Sequence, residues 1–265
     1  MSLGMTLNMT SSGQAPSSMP RSWWSVLLCL VHLPAASQTT NSQLWVDGIL
    51  GKSFASYYMA ECEFSYQTLL SDQGRWESLN ASPSLEVSPT AHWSFLAGLP
   101  LSYTLQQEGY NTFELRAQFG AKYNFTPFDR LQVRLNARYE IRQVRTVDTD
   151  EVQRSQRTRL RAEVVVPIDV RSYDSDSMWY ALADAETFIT MDQDVAERFA
   201  NRTRVRFGIG RKFSYNWRAE AIYTLQRSRD AISDAEFSTD NIIRLRIKYY
   251  FTPSNRAQAQ GDNAN

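Results

Sequence analysis

Two neighbouring stretches, Phe113 to Phe125 and Leu131 to Ile141, carry an apolar side chain at every second position and are joined by a short turn containing Pro127. In the first, Phe113, Leu115, Ala117, Phe119, Ala121, Tyr123 and Phe125 share one face, and Glu114, Arg116, Gln118, Lys122 and Asn124 share the other. Period two marks a β-strand with two unlike faces. Length constrains the fold further. Strands in soluble proteins average about 5 to 6 residues, whereas a tilted strand crossing a bilayer needs about 9 to 11. These strands are long enough to span a membrane.

Alternating windows recur along the chain at about 43 to 54, 57 to 70, 76 to 88, 92 to 105, 110 to 125, 129 to 145, 156 to 168, 178 to 190, 199 to 213, 216 to 228 and 238 to 251. They leave little chain for a second domain. Short connections contain Ser53 to Ser56, Ser88 to His92, Thr126 to Asp129 and Ser214 to Asn216, and longer polar ones contain Thr146 to Ser155, Met191 to Arg198 and Arg229 to Ser238. Outer-membrane barrels have short periplasmic turns and longer external loops, so the two classes orient the barrel. A loose repeat agrees with this orientation: Phe119 to Pro127, Phe207 to Tyr215 and Arg246 to Pro253 each read as the periplasmic end of a descending strand. The expected fold is therefore all-β, a transmembrane antiparallel up-and-down β-barrel. Bacterial single-chain barrels have even strand counts, so the eleven windows point to twelve strands, with ten as the alternative, and to both termini in the periplasm.

The start of the chain carries the matching address. Arg21 precedes the apolar run Trp23 to Leu33, followed by Pro34, Ala35, Ala36 and Ser37. This is the pattern of a secretory signal peptide over residues 1–37, cleaved after Ser37. Residues 38–251 form the barrel, and residues 252–265 a polar periplasmic tail whose composition favours disorder. The run is too short for a membrane-spanning helix, which needs about 20 apolar residues. The 13 Tyr, 13 Phe and 7 Trp are a supply for interfacial aromatic girdles. A formal net charge of zero gives no basic field for nucleic acid. After cleavage only Cys62 remains, with the parity of Phe64 and Tyr66, as a small apolar residue on the lipid face.

If the polar face is the lumen, Arg116, Arg134, Arg138, Arg142, Arg159 and Arg161 point inward, joined by Arg204, Arg206, Arg218, Arg244 and Arg246 from the later strands. The inward acids are Glu61, Glu63, Glu114, Glu140, Glu163, Asp184, Glu186 and Glu220. Early strands supply mainly acids and later ones mainly arginines, and closure brings them together. The rigid fork of arginine favours bidentate pairing with carboxylates, so a structural ladder across the lumen is one expectation. A polar path favouring anions is the other, with Arg134, Arg138, Arg204 and Arg206 as its constriction. Alternation alone does not say which face is inside, because a soluble barrel shows the same period with the apolar face inward.

Enzyme chemistry finds little footing. The mature chain offers one histidine, His92, beside Trp93 at a short turn, and no second group tuned near neutral pH for a nucleophilic triad. The pairs Asp148/Asp150, Asp174/Asp176 and Asp192/Asp194 lack the spacing of a calcium loop, and polar turns explain them. No cofactor, metal or nucleic acid is expected, and no catalytic residue is assigned.

Gln43-Leu44-Trp45, Tyr123 to Pro127, the stretch Glu197 to Gly208 and the arginine-rich final strand resemble the uncharacterised outer-membrane barrels grouped as domain of unknown function 2490. The resemblance covers about Gln43 to Phe251 and implies an integral barrel in the outer membrane of a diderm, Gram-negative bacterium. It brings no catalytic or binding residues with it. The partners expected for such a barrel are outer-membrane lipid, lipopolysaccharide and the barrel-assembly machinery. Three roles follow: a non-enzymatic narrow pore or envelope component, a docking barrel acting through outer loops or tail, and an enzyme acting on lipid or lipopolysaccharide.

Overall fold

The computed structural model describes residues 40–54, 57–70, 76–106, 111–128, 130–170, 175, 177–191, 202–229 and 237–251. The expected signal peptide, the polar tail and most of the loops at 192–197 and 229–237 lie outside the described residues. The strands are β1 (Thr40–Phe54), β2 (Tyr58–Leu69), β3 (Trp76–Val87), β4 (Trp93–Gly98), β5 (Leu101–Gln106) and β6 (Thr112–Phe128). They continue as β7 (Leu131–Thr146), β8 (Val152–Pro167), β9 (Met178–Thr190), β10 (Arg202–Lys212), β11 (Trp217–Arg229) and β12 (Phe237–Phe251).

Every alternating window coincides with one strand except the fourth, which holds both β4 and β5. Both segments pair with β3 on one side and β6 on the other, end to end in a single stave. Proline explains the break. Pro100 has no N–H to donate to the ladder, and Pro83 stands on the facing strand. The backbone recovers by irregular bonds, Leu99 N–H to the Pro83 carbonyl at 3.0 Å and Arg116 N–H to the Pro100 carbonyl at 2.9 Å.

The ring therefore closes with eleven staves, β5 being the further short strand that continues β4. This corrects the expected even count. Consecutive staves run antiparallel, and with an odd number the first and last must run the same way. Accordingly β1 and β12 pair in parallel, from Thr40 opposite Thr239 to Lys52 opposite Phe251. The barrel is mixed at that one seam, not antiparallel throughout. A second correction follows from the same pairing: Thr40 and Phe251 sit at opposite rims, so the barrel does not begin and end on one side as expected.

The two loop classes separate as their lengths suggest. Strands β1, β3, β6, β10 and β12 end at one rim, which carries the short turns after Phe54, Val87, Phe128 and Lys212. The connections containing Thr146 to Ser155, Met191 to Arg198 and Arg229 to Ser238 leave from the other rim. One exception is the connection between β8 and β9, which is long and belongs to the short-turn rim. The described parts of the repeated segments, in β6, β10 and β12, all run toward that same short-turn rim.

Burial is inverted relative to a soluble protein. Along β9, Met178, Tyr180, Leu182, Asp184, Glu186 and Phe188 are buried, while Trp179, Ala181, Ala185 and Ile189 are exposed. Glu140 is wholly buried at 0%, whereas Phe119, Phe207 and Ile247 are 55%, 58% and 54% exposed. The apolar face is outside and the charged face inside. Cys62 lies on that outer face, paired in register with Leu50 and Pro83. Outward aromatics cluster at the short-turn rim, with ring centroids 4.9 Å apart for Trp93 and Tyr123, 4.8 Å for Trp217 and Tyr249 and 4.9 Å for Tyr249 and Phe251.

The inner face has one apolar region, formed by Val165, Met178, Tyr180, Leu182 and Ile222 with Val170 packed against it. Glycine makes room for it. A Cβ on Gly210 would fall 2.3 Å from the Tyr180 ring, so the absence of one lets Tyr180 lie flat across β10. Gly51 does the same for Tyr250 at the parallel seam, where a Cβ would meet that ring at 2.6 Å.

Candidate functional site

Eleven arginines and eight acids were expected on the inner face, and all of them share the buried parity of their strands. They alternate with more exposed side chains along β2 and β6 to β12. Most are tied into two ion-pair networks.

The larger network runs over β6 to β10. Arg116 and Arg142 meet Glu114 at 2.6 and 2.8 Å, and Arg142 takes both carboxylate oxygens, its Nη2 donating to Oε2 at 3.1 Å. Arg116 also stands 3.8 Å from Glu140, which Arg157 and Arg159 hold at 2.5 and 2.9 Å. Arg159 links onward to Glu186 at 2.5 Å, and Arg206 bridges Glu186 and Asp184 at 3.2 and 2.6 Å. Arg161 joins Asp184 at 3.0 Å and also pairs with Glu163, which Arg134 reaches at 2.9 Å. A charge-assisted fork of this kind is the strong form of the hydrogen bond, and here adjacent staves exchange it in a continuous chain.

The second network lies across the seam. Asp47 pairs with Arg244 and, at 3.2 Å, with Arg246. Arg244 also reaches Glu63 at 2.7 Å, while Arg246 and Lys248 meet Glu220 at 3.2 and 2.7 Å. Acids of the first two strands thus meet cations of the last, as closure requires. Of the other expected residues, Arg138 donates to Gln118 at 3.2 Å, Arg218 lies over the Tyr250 ring at 5.1 Å, and Glu61 points inward from β2 near Lys248 and Lys122. Of the four arginines expected to form a constriction, Arg206 is packed at 5% side-chain exposure and Arg134 is open at 38%.

Sequence reasoning missed Asp47, Glu86, Arg157 and Lys248, although Arg157 and Lys248 have the parity of assigned residues on their own strands. It also missed Trp45 and Phe188. Aromatics were allotted to the lipid face, yet these two are 7% and 2% exposed on the inner face. Only strict parity, held against residue type, finds them. On β3 and β5, Ser78 bonds Ser102 and Thr104 at 3.3 and 3.1 Å, with Asn80 beside them, and Glu86 farther along β3 pairs with Lys122. His92 sits exposed at the short-turn rim, its Nδ1 3.1 Å from the Asn124 carbonyl oxygen and its ring 6.1 Å from Tyr123. No group of metal-ligating side chains occurs among the described residues.

No curated protein matches the chain in sequence. Two solved structures are similar to it at low identity. One is the NanC porin, at 10% identity over 77% of this chain and 91% of the other, with a TM-score of 0.46. The other is LpxR from Salmonella typhimurium, at 7% identity over 77% and 87%, with a TM-score of 0.48. The model of the family described as "Protein of unknown function (DUF2490)" matches residues 42–237, and the chain belongs to that family.

Proposed function

We propose that this protein is a non-enzymatic barrel of the bacterial outer membrane whose narrow, charged interior takes small anionic solutes. An exposed apolar belt around a closed sheet suits hydrocarbon, where every backbone group must be satisfied internally. The short-turn rim then faces the periplasm and the longer loops face outward. The observation that carries the reading is the guanidinium excess on the inner face of β6 to β10, where Glu140 and Glu186 are each shared by three arginines. A ring of such side chains favours anions over cations.

The test is the reversal potential of the purified protein in a planar bilayer under a potassium chloride gradient. Anion-selective current supports the reading, and cation-selective current overturns it. A second role, a closed envelope component, is favoured by the close packing of Arg157 and Arg206, which are 7% and 4% exposed. It predicts correct insertion with no current.

A further inference from the structure

One ring inside the barrel gathers four guanidinium groups. The Cζ atoms of Arg157, Arg159, Arg204 and Arg202 lie 4.9, 4.7, 4.9 and 5.9 Å from the centroid of Phe188. Arg204 is shared with a second ring, standing 5.4 Å from Trp45, whose indole also carries Arg244 at 5.4 Å. Trp45 belongs to β1 and Phe188 to β9, with β10, β11 and β12 between them around the ring. A planar cation from β10 therefore joins two aromatic faces across the interior.

The arginines around these rings outnumber the carboxylates they meet among the described residues. Glu140 is met by Arg116, Arg157 and Arg159 at 3.8, 2.5 and 2.9 Å, and Glu186 by Arg159, Arg204 and Arg206 at 2.5, 3.7 and 3.2 Å. Arg116 and Arg206 also meet Glu114 and Asp184, both at 2.6 Å, so these five guanidiniums share four carboxylates among the described residues. Stacking on a ring occupies the face of a guanidinium and leaves its N–H donors in the plane of the fork. On the wall of β3 to β5, Ser78 bonds Ser102 and Asn80, and the Glu86 carboxylate is taken by Lys122.

We propose that the guanidiniums stacked around Phe188 and Trp45 form a binding station inside the barrel for a small, multiply charged oxyanion such as a phosphorylated solute. The inference rests on the reading of the charged face as a solute-accessible lumen. Aromatic backing fixes the forks in orientation before the anion arrives, so little side-chain freedom is lost on binding. Bidentate contacts from neighbouring forks suit phosphate oxygens.

The test is calorimetric titration of pyrophosphate into the purified full chain in non-ionic detergent, with folding checked by a heat-dependent shift in gel migration. Wild type binds, Arg204→Gln binds about tenfold more weakly through loss of one charge-assisted contact, and Phe188→Leu is also weakened because its forks lose their support. Arg154→Gln, an exposed residue at the rim, binds as wild type. No pyrophosphate binding by folded wild type, or wild-type affinity in both Arg204→Gln and Phe188→Leu, overturns the station. So does an equal loss in Arg154→Gln, which marks binding to surface charge alone. Absence of the heat-dependent shift in wild type removes the barrel reading itself, and the station with it.

Discussion

The phenol of Tyr180 reaches across Gly210 and donates a hydrogen bond to the carboxylate of Glu220 at 2.7 Å. Tyr180 is on β9 and Glu220 on β11, so the contact skips a strand, and only a residue without a side chain on β10 permits it. Glu220 is held at the same time by Arg246 and Lys248, which ties the inner apolar region to the seam network.

Gly210→Ala should therefore cost more than a surface substitution. Its Cβ would enter the Tyr180 ring at 2.3 Å and force that ring to move, an overpacking cost of about 1 to 3 kcal/mol. Tyr180→Phe keeps the ring and loses only the hydrogen bond, at about 1 kcal/mol. Urea unfolding in detergent micelles ranks the two, and equal stability of Gly210→Ala and wild type would contradict the packing described.

Glu140→Gln should be among the most damaging single changes on the inner face. The side chain is fully buried and serves three arginines, and removing one partner of a buried pair costs about 3 to 5 kcal/mol. Arg145→Gln makes the contrast. Its pair with Asp150 is 56% and 70% exposed, so the change should fall within about 1 kcal/mol in the same unfolding measurement.

Most of the fold is legible in the sequence because the inner and outer environments impose period two on nearly every strand. The eleven windows are the eleven staves, and the doubt about their number came from an evenness rule that a parallel seam sidesteps. Register at closure is a long-range property: nothing local in Thr40 to Phe54 says that it will lie parallel to β12. The charged members of the site were legible by parity, but their pairing was not, since an arginine on β8 can reach carboxylates on either neighbouring stave. Trp45 and Phe188 were hidden by their own hydrophobicity, which argues for lipid until the guanidiniums around them are seen.

The separation of the two loop classes has a topological consequence. In intact cells, Asp148→Cys in the turn after β7 should react with a membrane-impermeant maleimide, in a Cys62→Ser background. Ser214→Cys, in the turn between β10 and β11, should react only after the outer membrane is permeabilised. The reverse pattern would invert the orientation proposed from loop length.

Leu135→Arg should destabilise by about 2 to 4 kcal/mol because it places a charge on the hydrocarbon face, where Leu135 is now 49% exposed. Gln118→Arg faces the interior and should not carry that penalty. Unfolding of the two variants in lipid vesicles tests this, and the opposite ranking would contradict the assignment of faces.

The claim on which all of this depends is that the apolar face meets lipid and the charged face meets water. Spin labels placed one at a time along β7, from Val133 to Ile141 in vesicles, measure it directly by their collision rates with oxygen and with an aqueous nickel complex. The odd positions, from Val133 through Leu135 and Ala137 to Ile141, should favour oxygen, and the even positions, such as Asn136 and Arg138, should favour nickel. A profile with the opposite phase, or with no period of two, would contradict the account.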